Sequence, residues 1–160
     1  MDVDTSLRRH LIELLEGSHA HASLEDAIAD FPRAARGRKP ANLPHSAWTL
    51  LEHMRIAQWD ILEFSRTRKH KSPAWPEGYW PANDDPPSPA QWDQSLQQFR
   101  ADLKAVVDLV QSPKTDLLAK IPWGDGQTIL REALLVADHN AYHTAQIVDV
   151  RRLLRLWPKK

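Results

Sequence analysis

"VADHNAYHTAQIV", residues 136–148, carries two histidines four residues apart on an otherwise mostly apolar segment. Apolar residues recur at helical spacing on both sides of this stretch, which predicts one helix from about Thr128 to Leu156. Positions four apart lie one above the other on a helix, so His139 and His143 can point both imidazoles at one ion. Two ligands make an incomplete metal site, and a third has to come from another helix.

Three further stretches have helical periodicity. A first helix begins near Asp4, and Gly17 weakens it before residues 23–31, which are either its continuation or a short second piece. A second runs from Ser46 to about Arg68 and a third from Ser88 to just before Pro113. The inward stripe of the first helix is predicted to contain Leu7, Leu11, Leu14 and Leu15. No stretch alternates apolar and polar residues over a useful length, so we expect an all-α fold in which residues 1–160 form a single four-helix-bundle domain.

The segment 71–89 between the second and third helices is too rich in proline to be helix or strand. A loop this long in a small domain is either functional or needed to cross a large distance. Its aromatic residues Trp75, Tyr79 and Trp80 either cover a metal pocket or anchor the loop. The tryptophans of the helices, such as Trp48 and Trp92, are expected in the core or at a dimer contact.

Composition excludes several classes of protein. The 160 residues contain 21 lysines and arginines against 21 aspartates and glutamates, which lacks the basic excess of proteins that bind nucleic acid or membrane surfaces. No apolar run reaches the length of a membrane span, and the N-terminus is charged where a secretory signal is apolar. We therefore expect a soluble cytoplasmic protein. Because there is no cysteine, a metal has to be held by histidine and carboxylate.

His53 is the candidate third ligand, because it lies on the inward stripe of the second helix. Three histidines from two helices leave a metal at least one open position, which is typical of catalytic sites. The other interpretation, three core histidines hydrogen bonded to carbonyls, stays open on spacing alone. The remaining histidines are expected to be solvated: His10, His19, His21, His45 and His70. Asp60 either orients a ligand or water, or is a surface residue near Arg66 and Arg68, and no catalytic acid or base is identified.

Three stretches, in order, resemble the DinB-like superfamily of metalloenzymes. They are "LPHSAWTLLEHMRIAQWDILEFSR" with His53, the tryptophan-rich "SPAWPEGYWP", and "LREALLVADHNAYHTAQIVDVRRLL" with His139 and His143. The resemblance covers nearly the whole chain from Leu7 to Leu156, and the three-histidine motif is intact.

The resemblance implies a bundle in up-down-down-up order, in which the loop 71–89 is the crossover between helices two and three. It implies a divalent metal (zinc, nickel, iron or manganese) on His53, His139 and His143, and a homodimer. Related enzymes use small thiols such as mycothiol, bacillithiol or glutathione as cosubstrates. We therefore expect a metal-dependent enzyme that catalyses thiol-dependent S-transfer, or a related transfer or hydrolysis, on a small molecule. The alternatives are a non-catalytic metal-binding stress-response module and a bundle with no metal.

Overall fold

The computed structural model describes residues 2–17 and 20–158. Its helices are α1 (Val3–Glu16), α2 (Leu24–Ile28), α3 (Ala47–Arg66), α4 (Pro89–Gln111) and α5 (Ile129–Leu153), with 3₁₀ turns at Arg33–Ala35 and Glu77–Tyr79. The described residues contain no strand, only an isolated antiparallel bridge between Lys120 and Thr128. The prediction of an all-α chain with four long helices is confirmed. Within the described ranges, none of these helices is both long and apolar enough to cross a membrane.

Side-chain caps set where the long helices begin. The Ser46 hydroxyl accepts a hydrogen bond from the Thr49 amide at 3.1 Å, and Ser88 does the same for Gln91 at 3.2 Å. Helix α1 ends at Gly17, whose φ of 68° lies in the left-handed region that favours glycine. The stretch after it is a separate short helix with its own capping box, so it does not continue α1.

The core consists of two buried apolar clusters. One joins α2, α3, the first half of α4 and the end of α5, and it includes Trp48 and Trp92 at 2% exposure each. The other joins α1 to the far halves of α3 and α4 and to the start of α5. A single chain therefore buries both tryptophans, so they give no reason to expect a dimer. The prediction for Leu14 is wrong, because it is 53% exposed while Leu11 and Leu15 are buried.

A buried amide links three of the helices. Gln58 of α3 donates from Nε2 to the Phe99 carbonyl of α4 at 2.8 Å, and its Oε1 accepts from Asn140 Nδ2 of α5 at 2.8 Å. Close by, the Ser95 hydroxyl of α4 donates to Glu52 of α3 at 2.8 Å. These bonds satisfy polar groups that would otherwise be costly to bury between the helices.

Two arginines bind main-chain carbonyls that are remote in sequence. Arg8 donates from Nη1 to the Val110 carbonyl, at the end of α4, at 2.6 Å. Arg151 is 2% exposed and donates from Nη1 to the Asp26 and Ala27 carbonyls of α2 at 3.0 and 3.1 Å. The last carbonyls of a helix lack intrahelical partners, so these guanidinium groups tie α4 and α2 to the bundle.

Candidate metal centre

The structure brings together the three histidines singled out in the sequence. His53 projects from α3, and His139 and His143 project from α5 one turn apart. His53 and His143 are 5% and 7% exposed, and His139 is partly exposed. One ring nitrogen from each lies within 4.8 Å of the other two, and the Nε2 atoms of His139 and His53 are 3.1 Å apart. This group could hold a metal ion.

Hydrogen bonds at the far nitrogens prepare two of the rings as ligands. His53 donates from Nδ1 to the Tyr79 carbonyl at 2.9 Å, and His143 donates from Nδ1 to Gln146 Oε1 at 2.7 Å. Because a neutral imidazole carries one proton, both Nε2 atoms keep a lone pair, and that of His53 lies 3.1 Å from the Nε2 of His139. Two imidazole nitrogens on one tetrahedral zinc lie about 3.4 Å apart, given a Zn–N distance of about 2.0–2.1 Å. The spacing and the donor set therefore fit a divalent ion.

The electrostatics keep the rings neutral. Burial lowers the pKa of His53 and of His143, although a hydrogen bond to Tyr79 or to Gln146 opposes the shift. Burial and then the proximity of His143 and His53 lower the pKa of His139 to about 3. Since histidine must be deprotonated to bind a metal, the cluster is ready to bind a cation at neutral pH.

Two rings, one from the loop and one from the residues just before α3, stack in series on His53. Trp80 stacks on His53 with ring centroids 3.9 Å apart and planes 1° apart. His45 also stacks on Trp80, at 4.3 Å and 10°, so it is packed rather than freely solvated as the sequence predicted. Trp75, by contrast, is 76% exposed. Of the loop tryptophans, Trp80 contacts the centre.

Asp60 is a buried anchor for the loop. It is 9% exposed, and its carboxylate accepts from the Tyr79 hydroxyl at 2.7 Å and from His70 Nε2 at 2.6 Å. Burial and then the bond to Asp60 raise the pKa of Tyr79 to about 12, so the phenol stays a donor. The interpretation of Asp60 as a surface residue is wrong, and so is the expectation that His70 is solvated, because the His70 side chain is 8% exposed.

The other histidine predictions have mixed outcomes. His10 and His21 are exposed as expected, whereas His19 lies outside the described residues. Sequence reasoning missed Gln146 and His70 as partners of the site, and it named Tyr79 as a residue that covers the pocket or anchors the loop without identifying its bonds to His53 and Asp60. Gln146 could have been found from the sequence, since it follows His143 by three positions on the same helix face. The loop residues had no periodic signal that could have placed them.

Comparison with known proteins supplies one relationship. Neither the curated proteins nor the solved structures include a significant match to the chain. A family model described as the DinB superfamily matches residues 16–147, a range that contains all three clustered histidines. The chain belongs to the DinB superfamily.

Proposed function

We propose that this protein is a metal-dependent enzyme that holds a divalent metal (zinc, nickel, iron or manganese) on His53, His139 and His143. The convergence of three neutral imidazoles from two helices is the observation that carries the proposal. A plain structural bundle is a poorer account of it. With both Nδ1 protons used elsewhere, the proton of His139 can serve the Nε2 lone pair of His53 at 3.1 Å, but no described residue donates to the Nε2 of His143.

The proposed reaction is thiol-dependent S-transfer, or a related transfer or hydrolysis, on a small molecule. Three protein ligands leave a position open, and an ion so held lowers the pKa of a thiol or water bound there. In S-transfer the thiol would release its proton to solvent and its sulfur would form a bond to an electrophilic carbon, while the bond from that carbon to its leaving group breaks and the leaving group departs with the electron pair. The chain orients the imidazoles through Tyr79 and Gln146, and it places Trp80 beside them. No catalytic acid or base is assigned, since Asp60 bonds Tyr79 and His70.

The proposed topology is up-down-down-up, with residues 67–88 as the crossover from α3 to α4. Glu52 pairs with Ser95 and Gln58 with Phe99, which supports a parallel course of α3 and α4. The contact of Arg8, near the start of α1, with the end of α4 supports an antiparallel course of those two helices. The homodimer and the cytoplasmic location stay predictions, which now rest on the family and on composition.

The test is to purify the protein without metal and to titrate it with zinc, nickel, iron(II) and manganese in turn. We expect about one ion per chain for at least one metal, and loss of that binding in His143→Ala. His10→Ala, an exposed histidine on α1, is the matched control. A wild-type protein that binds none of the four metals would contradict the proposal.

Turnover is tested on the loaded protein with glutathione, mycothiol and bacillithiol, each paired with a panel of small electrophiles. We expect one thiol to be consumed faster than with the His143→Ala variant at the same total metal. Metal binding without any such consumption, and without hydrolysis of activated esters, would favour the non-catalytic metal-binding module.

A further inference from the structure

We propose that Asp60 and Tyr79 are positioning residues of the metal centre, which make metal affinity depend on the docking of the loop 67–88 against α3. The proposal rests on the metal site of the proposed function. Neither side chain is a ligand of the ion. Each acts through the main-chain carbonyl that Tyr79 presents to His53.

The loop is held along α3 at three points spaced seven residues apart. At the start of the helix the Ser46 hydroxyl donates to the Asp84 carbonyl at 2.7 Å. One heptad on, His53 donates from Nδ1 to the Tyr79 carbonyl at 2.9 Å. A further heptad on, Asp60 accepts from the Tyr79 hydroxyl at 2.7 Å. Seven residues span two helical turns, about 10.5 Å, so the loop runs back along one face of α3.

Tyr79 is therefore fixed at both ends of the residue. Its hydroxyl is tied to Asp60 and its carbonyl receives His53, so the position of the phenol helps to decide where the carbonyl lies. His70, at the beginning of the loop, donates from Nε2 to the other oxygen of the Asp60 carboxylate at 2.6 Å. The 3₁₀ turn Glu77–Tyr79 ends at Tyr79, so the main chain next to these contacts is hydrogen bonded within the loop.

The Tyr79 carbonyl determines how His53 can bind an ion. A neutral imidazole carries its one proton at either Nδ1 or Nε2, and only the nitrogen without the proton can bind an ion. A carbonyl on one side requires the proton at Nδ1 and so presents the Nε2 lone pair to the centre. The stacking of Trp80, the next residue of the loop, on the same ring opposes tilting. If the loop leaves α3, His53 loses both constraints, and metal affinity falls.

Such coupling is reciprocal. If docking of the loop strengthens metal binding, then metal binding must stabilise the docked loop by the same free energy. The prediction has a local readout, because the amides of Gly78, Tyr79 and Trp80 donate to carbonyls within the loop and exchange with solvent when it opens.

Tyr79→Phe is the sharpest test, since it removes one hydroxyl and keeps the carbonyl. We expect the dissociation constant of the metal, measured by competition with a chelator, to rise by up to about tenfold, the lower end of the loss seen when the partner of a metal-ligating histidine is itself removed, because the carbonyl stays and only its anchor is lost. Asp60→Asn should weaken binding similarly, and the double variant should cost less than the sum because both changes break one chain of contacts. If Asp60→Asn fails to fold, Tyr79→Phe decides alone.

Tyr142→Phe is the matched control. Tyr142 is the other tyrosine of the chain, packs edge-on against His143 at 5.0 Å, and makes no hydrogen bond to any residue that the structure describes. Wild-type affinity in this control, together with weakened binding in Tyr79→Phe, would support the proposal. Equal weakening in the two variants, or an unchanged affinity in Tyr79→Phe, would overturn it and leave the three-histidine site standing.

Amide hydrogen exchange gives the second readout. Loading the wild-type protein with zinc should slow exchange at Gly78, Tyr79 and Trp80, and the effect should shrink in Tyr79→Phe. Protection limited to α3 and α5 would overturn the coupling. A wild-type protein that binds no metal would instead remove the proposed function, so the two failures are distinguishable.

Discussion

Acid should destabilise the metal-free protein through His139. Burial, with the proximity of His143 and His53, lowers the pKa of this ring in the folded state from 6.5 to about 3. The unfolded chain takes up a proton at this position below about pH 6.5, whereas the folded chain does so only near pH 3. The contribution of neutral His139 to the free energy of unfolding is therefore fully present above pH 6.5. It is lost progressively as the pH falls from 6.5 towards 3.

The magnitude follows from the size of the pH interval. One pH unit for one proton corresponds to about 1.4 kcal/mol, so pH 5, about 1.5 units below the unfolded pKa, costs about 2 kcal/mol. This is an upper value because His139 is partly exposed and solvent screens its charge. His139→Gln removes the titration and keeps a polar side chain.

The assay is urea unfolding of chelator-treated protein at pH 7, 6 and 5. We expect the free energy of unfolding of the wild type to fall by up to about 2 kcal/mol more than that of His139→Gln between pH 7 and pH 5. Titrating groups outside the cluster are common to both proteins and largely cancel, whereas the interaction of His139 with His143 and His53 is part of the measured difference. His10→Gln, at an exposed site on α1, should follow the wild type. Parallel curves for the wild type and His139→Gln would refute the reasoning.

Three further predictions concern folding and assembly. Replacing all three clustered histidines with alanine should abolish metal binding but leave a protein that is helical and melts cooperatively by circular dichroism. The reason is that the two apolar clusters do not include these residues. An unfolded variant would show that the site is structural. Arg151→Ala should cost about 3 kcal/mol in chemical denaturation, since it leaves carbonyls of α2 unpaired, whereas the exposed neighbour Arg152→Ala should cost under about 0.5 kcal/mol. Sedimentation at micromolar concentration should give a species of twice the 18.3 kDa chain mass, and a purely monomeric protein would reject the dimer.

Periodicity was sufficient to predict the long helices and to place the three histidines on inward faces, whereas their assignment to one metal site came from the family resemblance. The apolar stripes of α3 and α5 also carry the histidines, so placing each stripe inward placed His53 and His143 inward too. Periodicity could not resolve the edge of a stripe. Leu14 lies beside Leu15 on α1, and only the packing of neighbouring helices decides that one is exposed and the other buried.

The surroundings of the cluster could not be predicted, because the loop supplies them. His70 and Tyr79 lie ten and nineteen residues beyond Asp60, and proline-rich chain of this kind has no repeat that relates position to direction. The burial of Asp60 followed from the same contacts. A carboxylate on a helix face looks solvated in sequence until a loop covers it.

The buried Gln58 amide disfavours arrangements in which the helices are shifted along one another. Leucine and valine contacts are non-directional and tolerate sliding of one helix along another, but a buried amide is satisfied only when Phe99 and Asn140 stand opposite it. Sliding α5 by one turn, about 5.4 Å, would break the bond between Asn140 Nδ2 and Gln58 Oε1 and leave both atoms unpaired in the core. The same slide would carry His139 and His143 away from His53. The amide thus raises the free energy of states in which the helices are shifted along one another. Such states would bury as much apolar surface but would not bring the three histidines together.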